Sequence, residues 1–250
     1  MCTYYDSFDY RSYWVGREYE HKSEIIALTS LLNEINKVNN ILEIGAGYGR
    51  LVSTYINHAK KIFISDPSKK LLALAKKNIH SNKVFFINSP WEHLSSCVNK
   101  RKVDLIIMVR VLHHIKNPEK AFKNIQKILN HKGYFILEFP NKIHTKAIIK
   151  ELLRGNFTVL FDIFPKDIRC QENVDNGCIA FNNYHPDYVF DLLRKNNFEI
   201  VGVRSVSNIR SKFLKKHVPL NLLCSFEKYL QKTLSGVYFG PSTFVLARKI

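Results

Sequence analysis

The sequence predicts an α/β fold: a doubly wound sheet of seven strands with helices on both faces and an inserted cap. Three observations carry this expectation. From residue 41 onward, short apolar runs alternate with longer amphipathic stretches, the pattern of largely parallel strands covered by helices. The first run passes through the glycine-rich string Glu43-Ile44-Gly45-Ala46-Gly47-Tyr48-Gly49 into a helical pattern. The second run ends on an acidic residue, Asp66.

Before the sheet, residues 21–37 read as an amphipathic helix with Ile25, Leu28, Leu31, Leu32 and Ile35 on one side, because apolar residues three and four apart share a helix face. Strands are expected at 41–44, 62–65, 84–87, 103–109 and 134–139, with helices at 50–58, 69–78 and 119–129. Pro118 opens the last of these helices near its first turn and Gly133 lies beyond its end, the usual placement of each residue type. Residues 141–183 break the alternation and read as an inserted cap. A helix at 186–195, a strand at 198–206 and a final strand at 243–248 follow. Between those strands, 211–233 is a helical region long enough to pack over one end of the sheet.

The net charge is +17, with 38 Lys and Arg against 21 Asp and Glu. Clustered bases would concentrate a polyanion, but these lysines are spread over most of the chain and read first as a solvated surface. Nucleic acid therefore stays open as a lesser alternative. Five cysteines are scattered, without a CxxC pair or a His at zinc spacing, so reduced thiols in a cytoplasmic protein are expected. The first 19 residues are aromatic and polar, unlike a secretory signal. No apolar run approaches the ~20 residues needed to span a bilayer.

A strand entering a glycine turn and then a helix aims backbone N–H groups and a positive helix end at one point. A dinucleotide fingerprint needs G-x-G-x-x-G, whereas Arg50 follows Gly49 here and the third glycine comes one residue early; this spacing argues against NAD. Asp66 would sit beside the loop at the carboxyl edge of the sheet and accept hydrogen bonds from both hydroxyls of a ribose. A helix N-cap role for Asp66, with Pro67 in the first turn, is its rival.

In these motifs the chain resembles the class I S-adenosylmethionine-dependent methyltransferases, and among them the small-molecule branch that includes the ubiquinone and menaquinone methyltransferases. The resemblance covers residues 38–140. It rests on the glycine string, Asp66, the fourth-strand motif from Val103 through Ile115, and the fifth-strand segment around Gly133. It implies a Rossmann-like seven-stranded sheet and S-adenosyl-L-methionine as cofactor. It also implies one domain: an N-terminal lid and helix (1–37), a cofactor-binding core (38–140), a cap (141–185) and a C-terminal part (186–250) with a helical insertion at 207–236.

By the same resemblance, Glu43, Gly45, Ala46 and Gly47 would line the methionine portion, Asp66 the ribose, and Pro67 one face of the adenine, with Trp91 or its neighbour on the other. Val109, Arg110 and His114 complete the expected cofactor wall. One departure stands in the third loop, Ser89-Pro90-Trp91-Glu92: Pro90 occupies the position where the family usually has an adenine-binding Asp. Backbone groups near Trp91, or Glu92, would then substitute. Similar enzymes close an N-terminal helix over the cofactor, and Arg17 and Tyr19 are the residues expected to reach its carboxylate.

On the acceptor side, methyl transfer is a displacement in which holding the nucleophile is the main task. A base is needed only if the acceptor must lose a proton. His113 and His114, after the fourth strand, and Tyr184 and His185, at the end of the cap, are the candidates; structural roles, including a helix cap at 184–185, compete with each. The fourth strand ends in Met108-Val109-Arg110 rather than a carboxylate, so no metal site is expected. The expected function is methyl transfer to a small-molecule acceptor. An RNA methyltransferase is one alternative. Another is a membrane-peripheral enzyme on a lipid-like acceptor, for which 213–223 mixes bases with apolar residues. Homodimerisation is left open.

Overall fold

The computed structural model describes residues 12–98, 102–175 and 178–250; the start of the expected lid, residues 1–11 with Cys2, lies outside the described residues. Its centre is a seven-stranded sheet. The strands are β1 (Val38–Ile44), β2 (Ala59–Asp66), β3 (Val84–Asn88), β4 (Val103–Met108), β5 (Leu129–Pro140), β8 (Phe198–Val206) and β9 (Ser242–Lys249). Their order is β3-β2-β1-β4-β5-β9-β8. The first five run parallel, and β9 lies antiparallel between β5 and β8. All seven expected strands are present, and the doubly wound sheet with helices on both faces is the observed fold.

Alternation along each strand builds two cores. Leu42, Phe63, Ile106 and Phe135 face one side. There they meet Phe122 of α5 (Pro118–Ile128) and Phe190 of α8 (Pro186–Lys195). Their neighbours Ile41, Ile62, Leu105 and Ile136 face the other side. These pack against Leu28 and Leu31 of α1 (Glu18–Leu32) and Leu72 of α3 (Lys69–Asn78), while the single turn α4 (Leu94–Cys97) follows β3. Strands buried on both faces carry continuous apolar runs rather than a polar alternation, which is why 62–64 and 105–108 were legible as strands.

Helix termini follow local chemistry. The Ser68 hydroxyl accepts from Leu71 N at the start of α3, and the Asn117 side chain accepts from Lys120 N ahead of Pro118 in α5, each satisfying an otherwise orphaned donor. Two expected helices differ from the sequence reading. Residues 50–58 shrink to α2 (Val52–Tyr55), because β2 extends back to Ala59, which pairs with Val38. Residues 211–233 split into α9 (Lys212–His217) and α10 (Leu220–Thr233). Pro219 holds Val218 extended, at φ −101° and ψ 133°, as proline does to the residue before it. The cap region contributes α6 (Thr145–Leu152), α7 (Gln171–Asp175) and a two-stranded ladder of β6 (Lys166–Asp167) with β7 (Asn182–Asn183). No helix among the described residues is long and apolar enough to cross a membrane.

Candidate active site

The carboxyl ends of β1, β2 and β4 meet at one cavity of about 490 Å³. The glycine loop is tied to β2, since Gly45 N and Ala46 N both donate to Ser65 O, at 2.9 and 3.0 Å. Gly45 has φ +72°, and a Cβ there would stand 2.2 Å from Val111 Cγ2, so no side chain is tolerated without moving the chain beyond β4. Gly47, at φ +56°, meets no atom closer than 4.0 Å where its Cβ would be. Its missing side chain leaves open space at the cavity wall.

Asp66 ends β2 and is buried. One carboxylate oxygen accepts from Gly47 N and the other from Ser68 N, both at 2.8 Å. The N-cap of α3 is Ser68 rather than Asp66, so the rival role falls to a neighbour. Asp66 fastens the glycine loop while presenting its carboxylate to the cavity. Asn88, its partner on β3, donates to Asp66 O and Pro67 O at 3.0 Å. Beyond it, Pro67, Leu71, Ser89, Pro90, Trp91 and Glu92 form a largely apolar stretch of wall.

Glu43, fully buried, accepts from the Tyr55 hydroxyl. Burial raises its carboxyl to about 7, against the opposing effects of that hydrogen bond and of Arg50.

A buried ion cluster closes the opposite side. Glu24, on the apolar face of α1, takes Arg50 at 2.5 Å and Arg110 Nε at 2.6 Å. Burial alone would raise its carboxyl, but Arg110 and then Arg50 hold it below the ordinary range. Both guanidinium groups lie over the Trp14 ring, 3.9 and 4.7 Å from its centre, and Arg110 Nη1 donates to the Tyr13 hydroxyl at 3.1 Å. Arg110 has φ +58°, a left-handed conformation that costs a non-glycine residue ~1 kcal/mol or more. Its backbone N–H is held there by Glu138 Oε2 at 2.7 Å.

Past β4, the His113 and His114 rings are 4.0 Å apart, and Phe181 of the cap stacks 4.3 Å from His113. His114 Nδ1 lies 2.9 Å from Ala180 O; a carbonyl only accepts, so Nδ1 carries the proton and Nε2 is the acceptor nitrogen. His113 is buried, and its Nδ1 has no hydrogen-bond partner. Burial first, then His114 and Arg110, hold it well below the ordinary histidine pKa, so it is neutral at physiological pH.

Thirteen of the expected residues line this cavity: Glu43, Gly45, Ala46, Gly47, Asp66, Pro67, Pro90, Trp91, Glu92, Val109, Arg110, His113 and His114. Four do not. Tyr19 points away and donates to Glu227 at 2.5 Å, clasping α1 to α10. Arg17 is exposed and lies 4.1 Å over the Tyr13 ring. Tyr184 is wholly buried with its hydroxyl on Leu112 O. His185 caps α8 through Asp187 N. The aromatic segment before α1 does reach the cavity, but through Tyr13 and Trp14. Both precede Arg17 and Tyr19 by a few residues, in the 3-10 turn at Ser12–Trp14. Arg50 and Phe181 were missed as well. A signal for the ion cluster was present, since Glu24 interrupts an apolar helix face and a buried carboxylate requires a partner.

A profile of the methyltransferase-domain family matches residues 16–203. The chain belongs to this family. The methyltransferase is 32% identical to CRG1 of Saccharomyces cerevisiae, assigned as an S-adenosylmethionine-dependent methyltransferase, over 119 residues; that stretch is 44% of this chain and only 40% of the yeast protein. An uncharacterised protein of Methanocaldococcus jannaschii is 27% identical over 231 residues, covering 91% and 87% of the two chains. Among solved structures, an S-adenosylmethionine-dependent methyltransferase from Mesorhizobium loti superposes with a TM-score of 0.60 at 15% identity, over 91% of this chain and 98% of that one. The family is thus that of the methyltransferase domain, and S-adenosylmethionine is the cofactor named for the yeast and Mesorhizobium proteins. The residues fit that group: a buried carboxylate beside a glycine without side-chain obstruction, and an apolar wall next to it.

Proposed function

We propose that this methyltransferase acts on a small-molecule acceptor, held where His113, His114 and Phe181 meet the cavity. The observation that carries this reading is a cavity of about 490 Å³ lined on one side by the glycine loop and Asp66 and on the other by His113, His114 and Phe181. That volume suits a small ligand pair. S-adenosylmethionine supplies an electrophilic methyl group. Asp66 offers its carboxylate to the ribose hydroxyls, and Pro67, Leu71, Pro90 and Trp91 form the adenine seat, with Glu92 at its rim. Glu43, Gly45, Ala46 and Gly47 line the methionine portion, and Arg50 and Arg110 with Trp14 supply the positive charge for its carboxylate. Val109 and His114 complete the wall.

His113 positions the acceptor, because a neutral imidazole nitrogen can take a hydrogen bond from it or, for a protonated nucleophile, accept its proton. Most of the acceleration comes from holding the nucleophile in line, a proximity effect worth up to ~7–11 kcal/mol. The segment before α1, through Tyr13 and Trp14, and the cap, through Phe181, help to enclose the site around the 38–140 core.

Titration calorimetry with S-adenosylmethionine and its demethylated product tests the cofactor half. Both bind, and Asp66→Ala weakens both by about tenfold or more, the loss of charge-assisted hydrogen bonds. Unchanged affinity in Asp66→Ala would place the ribose elsewhere. A screen of small amine, hydroxyl and carboxyl acceptors then tests His113: His113→Ala should lower turnover while cofactor affinity is kept, and equal turnover removes its role.

A further inference from the structure

Helix α10 packs against the body through a mixed side, on which Leu223 is buried together with two polar residues. Glu227 and Gln231 are fully buried on it. Glu227 accepts from Tyr19, Ser207 N and Asn208 N, and Gln231 donates to Ser23 O. A second apolar stripe is turned outward: Leu222, Phe226 and Tyr229, spaced four and three apart, are 48%, 55% and 71% exposed. Surface helices ordinarily keep their apolar residues on the buried face alone. In α9, Phe213 is 68% exposed.

The exposed charge on this segment itself has one sign. Residues 207–237 carry Arg210, Lys212, Lys215, Lys216, Lys228 and Lys232, and their one acidic residue, Glu227, is buried. Lys215 is answered by Glu20 of α1. The positive field is felt by a neighbour: His144 is held down at about 4 by burial and then by Arg210 and Lys146. The face also lies at the edge of the sheet that holds the active site. Strands β5 and β8 both run antiparallel to β9 and so run parallel to each other, and their carboxyl ends deliver the cap and the α9–α10 segment to that one edge. On the cap, Leu153, Phe157 and Phe161 are exposed too.

We propose that α9 and α10 form a docking face for an anionic lipid bilayer, with Leu222, Phe226 and Tyr229 entering the headgroup boundary and the surrounding lysines meeting acidic lipids. An outward apolar stripe flanked by lysines, without exposed acid on its segment, matches a bilayer surface. Nucleic acid fits less well. Five of the six cations are Lys, whereas planar recognition of phosphate favours Arg, and aliphatic Leu222 offers no stacking surface.

Co-sedimentation with vesicles of phosphatidylcholine, with or without phosphatidylserine, tests the face at low salt. The protein should sediment with the serine lipid and stay in solution with phosphatidylcholine alone. The pairs Phe226→Ser with Tyr229→Ser, and Lys228→Ala with Lys232→Ala, should each weaken vesicle binding by about tenfold, the latter from about 1 kcal/mol per lysine. All four positions are exposed and distant from the cavity wall, so S-adenosylmethionine affinity and thermal melting serve as folding controls. No preference for phosphatidylserine, or variants that bind as the parent does, overturns the proposal. It is equally overturned by analytical ultracentrifugation showing a dimer that the aromatic pair dissociates, or by a single-stranded RNA that binds while vesicles do not. The cofactor titrations are independent of each of these outcomes.

Discussion

The glycine-loop wall and the cap wall of the same cavity are built on different principles. On the first, every functional group stands at the end of a central strand and is fixed by backbone hydrogen bonds: Gly45 and Ala46 to Ser65 O, and Asp66 to Gly47 N and Ser68 N. On the second, Phe181 is the one residue in the cavity lining among the described residues of 141–185, α6 contains no buried residue and the ladder of β6 and β7 is two residues per strand. The difference teaches where precision is needed. Groups at the strand ends have their positions set by sheet register, whereas the cap reaches the cavity through one aromatic side chain carried by short elements.

The largest test of this contrast is Glu24→Ala, which leaves the Arg50 and Arg110 guanidinium groups beside Trp14 without their shared carboxylate. Breaking a buried ion cluster by removing one partner costs ~3–5 kcal/mol. Urea denaturation should show a loss of that size; a loss below ~1 kcal/mol would mean that the cluster is not what holds this wall.

An intermediate effect is expected from Glu43→Gln. The folded protein keeps the Glu43 proton up to about 7, while an unfolded chain releases it near the ordinary value of 4.5. The stability from this group is therefore complete below pH 4.5 and is lost as pH rises through 7. Across that window the cofactor-free protein should lose on the order of 3 kcal/mol at this site, and the variant should have a flatter profile of melting temperature against pH. Identical slopes in the two proteins would assign the pH dependence to other groups.

The smallest effect belongs to the cap. Phe161→Ser removes an exposed side chain and should leave folding stability within ~0.5 kcal/mol. A loss of several kcal/mol by the same denaturant assay would show the cap to be as tightly packed as the glycine-loop wall, and the contrast would fail.

Legibility followed the same division. The seven strands could be read because strands buried on both faces leave dense apolar runs, and α3, α5 and α8 because capping residues and prolines mark their starts. Glu43, the glycine loop and Asp66 were legible because a backbone cradle for a ligand needs glycines and an acid at set spacings. Tyr184 and His185 misled for a physical reason: a buried Tyr with two carbonyl acceptors and a His that caps a helix carry the same residue types as an acceptor site. Sequence cannot tell which way such a side chain points.

Local chemistry by itself thus determined the α/β architecture and the cofactor cradle, since periodicity, caps and glycine spacing act within a few residues. Tertiary structure alone decided what required distant segments to meet. It chose Trp14 over Tyr19 for the cavity, joined Glu24 to Arg50 and Arg110, and buried Glu227 and Gln231 of α10 against Tyr19 and Ser23. That last choice departs from the usual rule for a surface helix, because hydrogen bonds from Tyr19, Ser207 and Asn208 satisfy Glu227 inside the protein beside Leu223, while a second apolar stripe faces out.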